Sequence, residues 1–229
     1  MLDRWTVPAL VTGLLALLAA TGLTGCVPTP KPGTIDIVGD SIAFQANWAR
    51  PDAFVVGAPR GADVVRDFTP GIGFPDVMTA ERKRVQAARP AILVIALGTN
   101  DAGPTDQGWN AADDQELRAL MALPSTTTCV VLVLPGYSDK PAVTSTQRYD
   151  LDAARAAMRK AAADRKAKGQ PTVVADWGAV ARARPELTID DGIHLADDAP
   201  STPDRIVDEA AADAWTTVLW TGVASCPKP

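Results

Sequence analysis

What this chain lacks narrows its chemistry first. It carries a single histidine, His194, and only three cysteines in 229 residues. With so few nitrogen and sulfur donors a usual zinc site cannot be assembled, and no H-E-x-x-H run is present. There is no G-x-x-x-x-G-K-[ST] loop to cradle nucleotide phosphates and no G-x-S-x-G elbow. No metal and no organic cofactor is therefore expected. Basic residues are outnumbered, 22 Lys+Arg against 27 Asp+Glu for a net charge of −5. They form no long cluster, so a nucleic-acid partner is not indicated. Aromatic residues are scarce at 5%, which leaves Ala, Val, Leu and Ile to fill the core. At 47% hydrophobic residues the chain can bury one sizeable core, and one domain is the default. No internal repeat interrupts that reading.

The first 26 residues stand apart from the rest. Arg4 is their only basic side chain, and an apolar stretch from Val7 to Leu23 contains Pro8 and several small residues. That stretch is short for a spanning helix and reads as a secretory signal. It ends Leu23-Thr24-Gly25-Cys26, which resembles a bacterial lipobox; the resemblance implies cleavage before Cys26 and a lipid on its thiol. Residues 1–25 are then a lipoprotein signal peptide, residues 26–33 a lipidated cysteine with a Pro-rich spacer, and residues 34–229 the folded domain. Several acyl chains on one cysteine suffice for stable anchoring. Setting Cys26 aside leaves an even pair, Cys129 and Cys226, which an extracytoplasmic site would allow to form a disulfide. The expected location is the outer face of the bacterial cell membrane, lipid-anchored, or secreted if no lipid is attached.

Past the spacer, strand-like and helix-like runs alternate. Strands are expected at Thr34–Val38, Ala53–Val56, Ala91–Leu97, Cys129–Leu134 and Thr172–Ala175. Helices are expected at Ile42–Arg50, Pro75–Ala88, Asp113–Leu123, Ser145–Lys168 and Asp204–Trp220. The runs AILVIAL and CVVLVL are continuously apolar, as strands buried on both faces must be. Alternation of this kind predicts a mostly parallel sheet covered by helices on both faces, with functional residues beyond the carboxyl ends of its strands.

Four segments at such positions could carry chemistry. Gly39-Asp40-Ser41 ends the first strand; the glycine permits a tight turn, and a serine opening a helix is either an exposed nucleophile or a cap. Asp191-Gly192-Ile193-His194 sets a carboxylate three residues from the lone imidazole, where it could fix the tautomer and stabilise the imidazolium. Gly98-Thr99-Asn100-Asp101 offers a side-chain amide as an oxyanion donor, or simply a turn. Pro70-Gly71-Ile72-Gly73 offers a backbone N–H. A dinucleotide loop there is excluded, because Pro75 and Asp76 stand where a third glycine and a helix start are needed.

GDS early, a glycine after the next strand, GTND mid-chain and DGIH late resemble the four blocks of the SGNH (GDSL-like) hydrolases. Chance coincidence of the GDS, GxND and DxxH pieces would occur on the order of once in several thousand chains of average composition, which favours the resemblance over accident. It implies a three-layer α/β/α sandwich around a flavodoxin-like, mostly parallel five-stranded sheet. It implies a catalytic triad of Ser41, Asp191 and His194, with an oxyanion hole formed by the Ser41 N–H, the Gly71 N–H and the Asn100 amide, Gly73 being the alternative to Gly71. The implied activity is ester hydrolysis through an acyl-enzyme. The alternatives are an O-acyltransferase acting on an envelope polysaccharide and a non-catalytic binding lipoprotein on the same scaffold. Implied partners are an ester substrate, with acylated envelope glycans or lipids the natural candidates from its address, and the membrane through the anchor; a monomer is expected. Ile42 replaces the usual leucine after GDS, and LADDAPSTP after His194 is longer and more acidic than the family's usual lead into the last helix.

Overall fold

The structure, a computed structural model, describes residues 31–76, 80–102, 108–197 and 207–227. The signal segment 1–25, Cys26, most of the spacer, most of the LADDAPSTP loop and Asp204 lie outside the described residues. Five strands form one sheet: β1 (Lys31–Gly39), β2 (Asp63–Phe68), β3 (Pro90–Ala96), β4 (Cys129–Val133) and β5 (Thr172–Ala175). Every pairing is parallel and the spatial order is β2-β1-β3-β4-β5. That is the flavodoxin-like order, in which the crevice between β1 and β3 is the topological switch point.

The helices are α1 (Ser41–Ala49), α2 (Ala53–Val56), α3 (Ala80–Ala88), α4 (Ala111–Ala122), α5 (Ser145–Ala167), α6 (Trp177–Ala183) and α7 (Glu209–Ala224). Residues alternate across the sheet with period two. Ile35 and Ile37 of β1, Val94 and Ala96 of β3, and Val131 and Val133 of β4 enter a core shared with α1, α2, α6 and α7. Leu93, Ile95, Val130 and Leu132 face the other way, onto α3, α4 and α5. The three layers are thus α1/α2/α6/α7, sheet, and α3/α4/α5. Among the described residues no helix is long and apolar enough to cross a membrane.

One expected strand is wrong. Ala53–Val56 is a helical turn, closed by Val56 N–H to Asp52 O at 2.8 Å and Gly57 N–H to Ala53 O at 3.1 Å. Its β-branched composition suggests a strand, but only Phe54 is buried, against Phe68 and Trp215, while Val55 and Val56 project into solvent. The second strand is instead DVVRDF at 63–68, an edge strand whose three charged residues mask its signal. Helix α6 and a following 3-10 turn at Pro185–Leu187 were not expected at all. Strand β1 begins at Lys31, earlier than Thr34, with an irregular register between Lys31 and Ile35. Pro75 and Asp76 form a turn rather than the start of α3.

Cys129 and Cys226 are joined in a disulfide that ties the second residue after α7 to the first residue of β4. The fold therefore closes on itself at the end of the sheet opposite the carboxyl-terminal loops.

Candidate active site

The site forms where β1, β2 and β3 end side by side. Gly39 pairs with Phe68 on one flank and Ala96 on the other, and the next amide, Asp40 N–H, donates to Ala96 O at 3.2 Å. Asp40 then caps α1: its Oδ1 accepts from Ile42 N–H at 3.0 Å. The cap role open to Ser41 is therefore taken by its neighbour, and the serine hydroxyl is left for a different partner. Burial pushes the Asp40 carboxyl up to about 6, partly opposed by the Ile42 N–H, by Thr99 and by the charge of His194. Ser41 is the first residue of a nine-residue helix, where backbone N–H groups lack intrahelical partners and carry partial positive charge.

Across 153 residues of sequence, Ser41 Oγ meets His194 Nε2 at 3.2 Å. His194 Nδ1 meets Asp191 Oδ2 at 2.7 Å. The other carboxylate oxygen, Oδ1, accepts from the Ile193 N–H at 2.8 Å and the His194 N–H at 3.0 Å. An ionised carboxylate only accepts, so the imidazole proton belongs on Nδ1 and the Nε2 lone pair faces the serine hydroxyl. Burial works to raise the Asp191 pKa, yet the His194 ring and the two N–H donors together hold it below the usual aspartate range. The bond from Asp191 raises the His194 pKa, burial opposes this, and the charges of Asp191 and Asp40 add to the rise. The three predicted residues converge as one hydrogen-bonded line.

The supports of that line were not legible in sequence. Gly192, at φ +71°, is pressed so closely on Val143 that a Cβ would lie 2.4 Å from it. Ser138 N–H donates to Gly192 O at 2.7 Å, and the Ser138 hydroxyl contacts Thr188 Oγ1 at 2.8 Å. Thr188 forms an antiparallel bridge with Leu195, and Leu195 N–H donates to Gln45 Oε1 at 3.1 Å. Gln45 thus ties the His194 segment to the helix that carries Ser41. Its only sequence signal was its place four residues after the serine, on the same helix face.

Asn100 and Gly71 lie beyond the ends of β3 and β2. One N–H of the Asn100 amide donates to Ile72 O at 2.9 Å, which leaves the second donor of that nitrogen. Asp101 Oδ1 accepts from Phe74 N–H at 2.8 Å, so consecutive residues clamp the 72–74 segment to the end of β3. Gly73 is required there, because a Cβ would sit 2.5 Å from Asp101 Oδ1. The Gly73 N–H turns to Asp76 Oδ2 at 3.3 Å. Gly71, at φ +79°, is exposed with open space where a side chain would be. Burial pushes the Asp101 carboxyl up to about 7, and the Phe74 N–H partly offsets this. Among the described residues no group of three or more His, Cys, Asp or Glu side chains is placed to hold a metal ion.

No family model matches the chain, and no curated protein matches it in sequence. Solved structures do. The C-terminal catalytic domain of peptidoglycan O-acetyltransferase A from Streptococcus pneumoniae, solved with a methylsulfonyl adduct, is 22% identical, with a TM-score of 0.61 over 87% of this chain and 98% of that one. A lipase/acylhydrolase from Enterococcus faecalis is 16% identical, with a TM-score of 0.63 over 86% and 98%. An acetyl xylan esterase, AlAXEase, is 17% identical, with a TM-score of 0.61 over 83% and 99%. At these identities the likeness is one of fold, and it spans nearly the whole of each neighbour.

Proposed function

We propose that the chain is an SGNH-type serine esterase that works through an acyl-enzyme. The observation that carries this reading is the line Ser41 Oγ, His194 Nε2, His194 Nδ1, Asp191 Oδ2, with separations of 3.2 and 2.7 Å. Ser41 Oγ attacks the ester carbonyl while its proton passes to His194 Nε2. The resulting oxyanion is held by the Ser41 N–H, the Gly71 N–H and the second N–H of the Asn100 amide. Gly71 is preferred over Gly73 because the Gly73 N–H is already turned to Asp76. Collapse breaks the ester C–O bond and His194 hands its proton to the departing alcohol. Water, deprotonated by the same nitrogen, then releases the acid and restores Ser41.

The structural neighbours, esterases, acylhydrolases and an O-acetyltransferase domain, support acyl transfer in general. The O-acetyltransferase neighbour favours one second reading, in which a sugar hydroxyl replaces water in the final step. Product analysis with a carbohydrate acceptor separates the two, since a transferase yields an acylated sugar and an esterase yields free acid. The test of the site itself is a fluorophosphonate probe on the mature protein. It is expected to label one residue, Ser41, rapidly, and Ser41→Ala is expected to remove all labelling. A folded protein that resists the probe would instead support a binding lipoprotein without turnover.

We also place the domain on the outer face of the membrane, anchored through lipidated Cys26. The disulfide supports this, since such bonds persist in oxidising compartments. Metabolic labelling with an alkynyl fatty acid in a bacterial host should mark the wild-type chain and leave Cys26→Ala unmarked; equal marking would refute the anchor.

A further inference from the structure

The face of α1 that carries Ser41 is unusual for a surface helix. Ile42, Ala43 and Ala46 turn inward. The outward positions three, four and seven residues after the serine are Phe44, Gln45 and Trp48. Phe44 is 36% exposed and Trp48 is 69% exposed, with ring centroids 6.1 Å apart and planes tilted by 32°. These rings form one wall of a groove of about 250 Å³. The other wall is the segment that carries the imidazole: Ile189, whose N–H donates to His194 O at 2.9 Å, and Leu195, with Val207 beside them.

The groove lies on a definite side of the nucleophile. Ile72 and Phe74, which flank the oxyanion segment, pack into the core on the α3/α4/α5 side of the sheet. Leu195 and Val207 pack into the core on the opposite side, against α1 and α7. The groove is therefore on the imidazole side of Ser41, away from Gly71 and Asn100. In an acyl transfer the imidazolium must hand its proton from Nε2 to the oxygen of the departing alcohol as the C–O bond breaks. A groove that runs along the helix of Ser41 beside the His194 segment is thus placed to receive the alcohol half of the ester.

The lining describes that alcohol. At about 250 Å³ the groove falls just under the roughly 300–1,000 Å³ typical of sites for drug-sized ligands, and suits a single ring. The Gln45 amide and the Asp197 carboxylate stand among its apolar walls. Ile189 and Asp197 also border a second, polar depression of about 270 Å³, lined by Lys140, Glu186 and Asp190. An aromatic groove bordered by a depression lined with charged side chains suits a chain of pyranose rings. Such rings present an apolar C–H face to an aromatic plane and a rim of hydroxyls to amides and carboxylates. An alkyl chain would fit the first part but in the second would take water from charged side chains without replacing its hydrogen bonds.

We propose that this groove binds the sugar of an O-acylated glycan, with Trp48 and Phe44 as the stacking platform for the ring that bears the ester. The proposal rests on the esterase reading and makes the substrate class of that site a polysaccharide.

The test uses the mature wild-type chain with Trp48→Ala and Trp48→Phe. Xylotetraose and chitotetraose, both free of O-acyl groups, are titrated while bound fraction is read by calorimetry, which does not require turnover. Saturable binding of at least one is expected, weakened about tenfold or more in Trp48→Ala and kept within about threefold in Trp48→Phe. On the acetylated form of the bound sugar, KM should rise about tenfold in Trp48→Ala and stay within about threefold of wild type in Trp48→Phe. Absence of binding to both sugars at millimolar concentration would overturn the proposal. So would a Trp48→Ala defect confined to long alkyl acetates, which would make the groove a lipid-alcohol site. Sugar binding that depends on Trp48, with no turnover on any ester, would support the groove and overturn the esterase reading instead.

Discussion

Ser41→Ala is expected to lower ester hydrolysis by at least about 10³-fold, and toward 10⁶-fold, with circular dichroism and melting temperature unchanged. The argument is that no other group stands in for the hydroxyl. His194 is the chain's only imidazole, and its Nε2 points at Ser41 Oγ. The fold should survive, because Asp40 caps α1 and, among the described residues, the Ser41 side chain makes no hydrogen bond other than that to His194. The wild-type rate should also carry the signature of the imidazole. Catalysis needs neutral Nε2, and the Asp191 bond raises the His194 pKa above its ordinary 6.5. Hence kcat/KM should fall as pH drops through a value above 6.5, and Asp191→Asn should move that fall to lower pH. Stability runs the other way. A raised histidine pKa contributes stability that is fully present below 6.5 and lost as pH rises through the folded value. Activity on p-nitrophenyl acetate from pH 5 to 9, beside melting curves over the same range, checks both. A folded Ser41→Ala protein with wild-type turnover would end the assignment.

How much of this was readable in the string depends on which residues act locally. The strands AILVIAL and CVVLVL announced themselves because a strand buried on both faces needs no alternation. DVVRDF did not, because an edge strand in which three of six residues are charged looks like loop, while AFVV imitated a strand although Val55 and Val56 face water. The hydrogen-bonded line of Ser41, His194 and Asp191 could be anticipated because DxxH and GDS are short motifs whose geometry is set within one turn. What holds them together was not. Gln45, Ser138 and Thr188 act through contacts 50 to 150 residues apart, and apart from the place of Gln45 one helical turn after the serine nothing in their local sequence marks them. The choice between cap and nucleophile at Ser41 was likewise undecidable from the string. It turns on whether Asp40 reaches the Ile42 N–H, which only the φ and ψ of the turn determine.

Opening the Cys129–Cys226 bond should produce the largest change in stability of any single alteration argued here, about 4–5 kcal/mol for a loop closed over 97 residues. At the entropy of unfolding expected for a chain of this size that is a fall in melting temperature of roughly 8–20 °C. Position supports a value near the full chain-entropy figure. Cys129 is buried at the start of β4 and Cys226 follows the last turn of α7, so the bridge joins two elements already packed on each other in one core. It constrains the unfolded chain while asking little of the folded one. Because the bond lies at the far end of β4 from Ser41, the reduced protein should keep wild-type kcat/KM at 20 °C while melting early. The measurement is differential scanning calorimetry with and without dithiothreitol, beside Cys129→Ala/Cys226→Ala. The double variant should melt where the reduced wild type melts and be indifferent to reductant. If full reduction, verified by thiol titration, shifts the midpoint by less than about 3 °C, the bridge does not constrain the unfolded chain as argued and the late helix is held by its apolar packing alone.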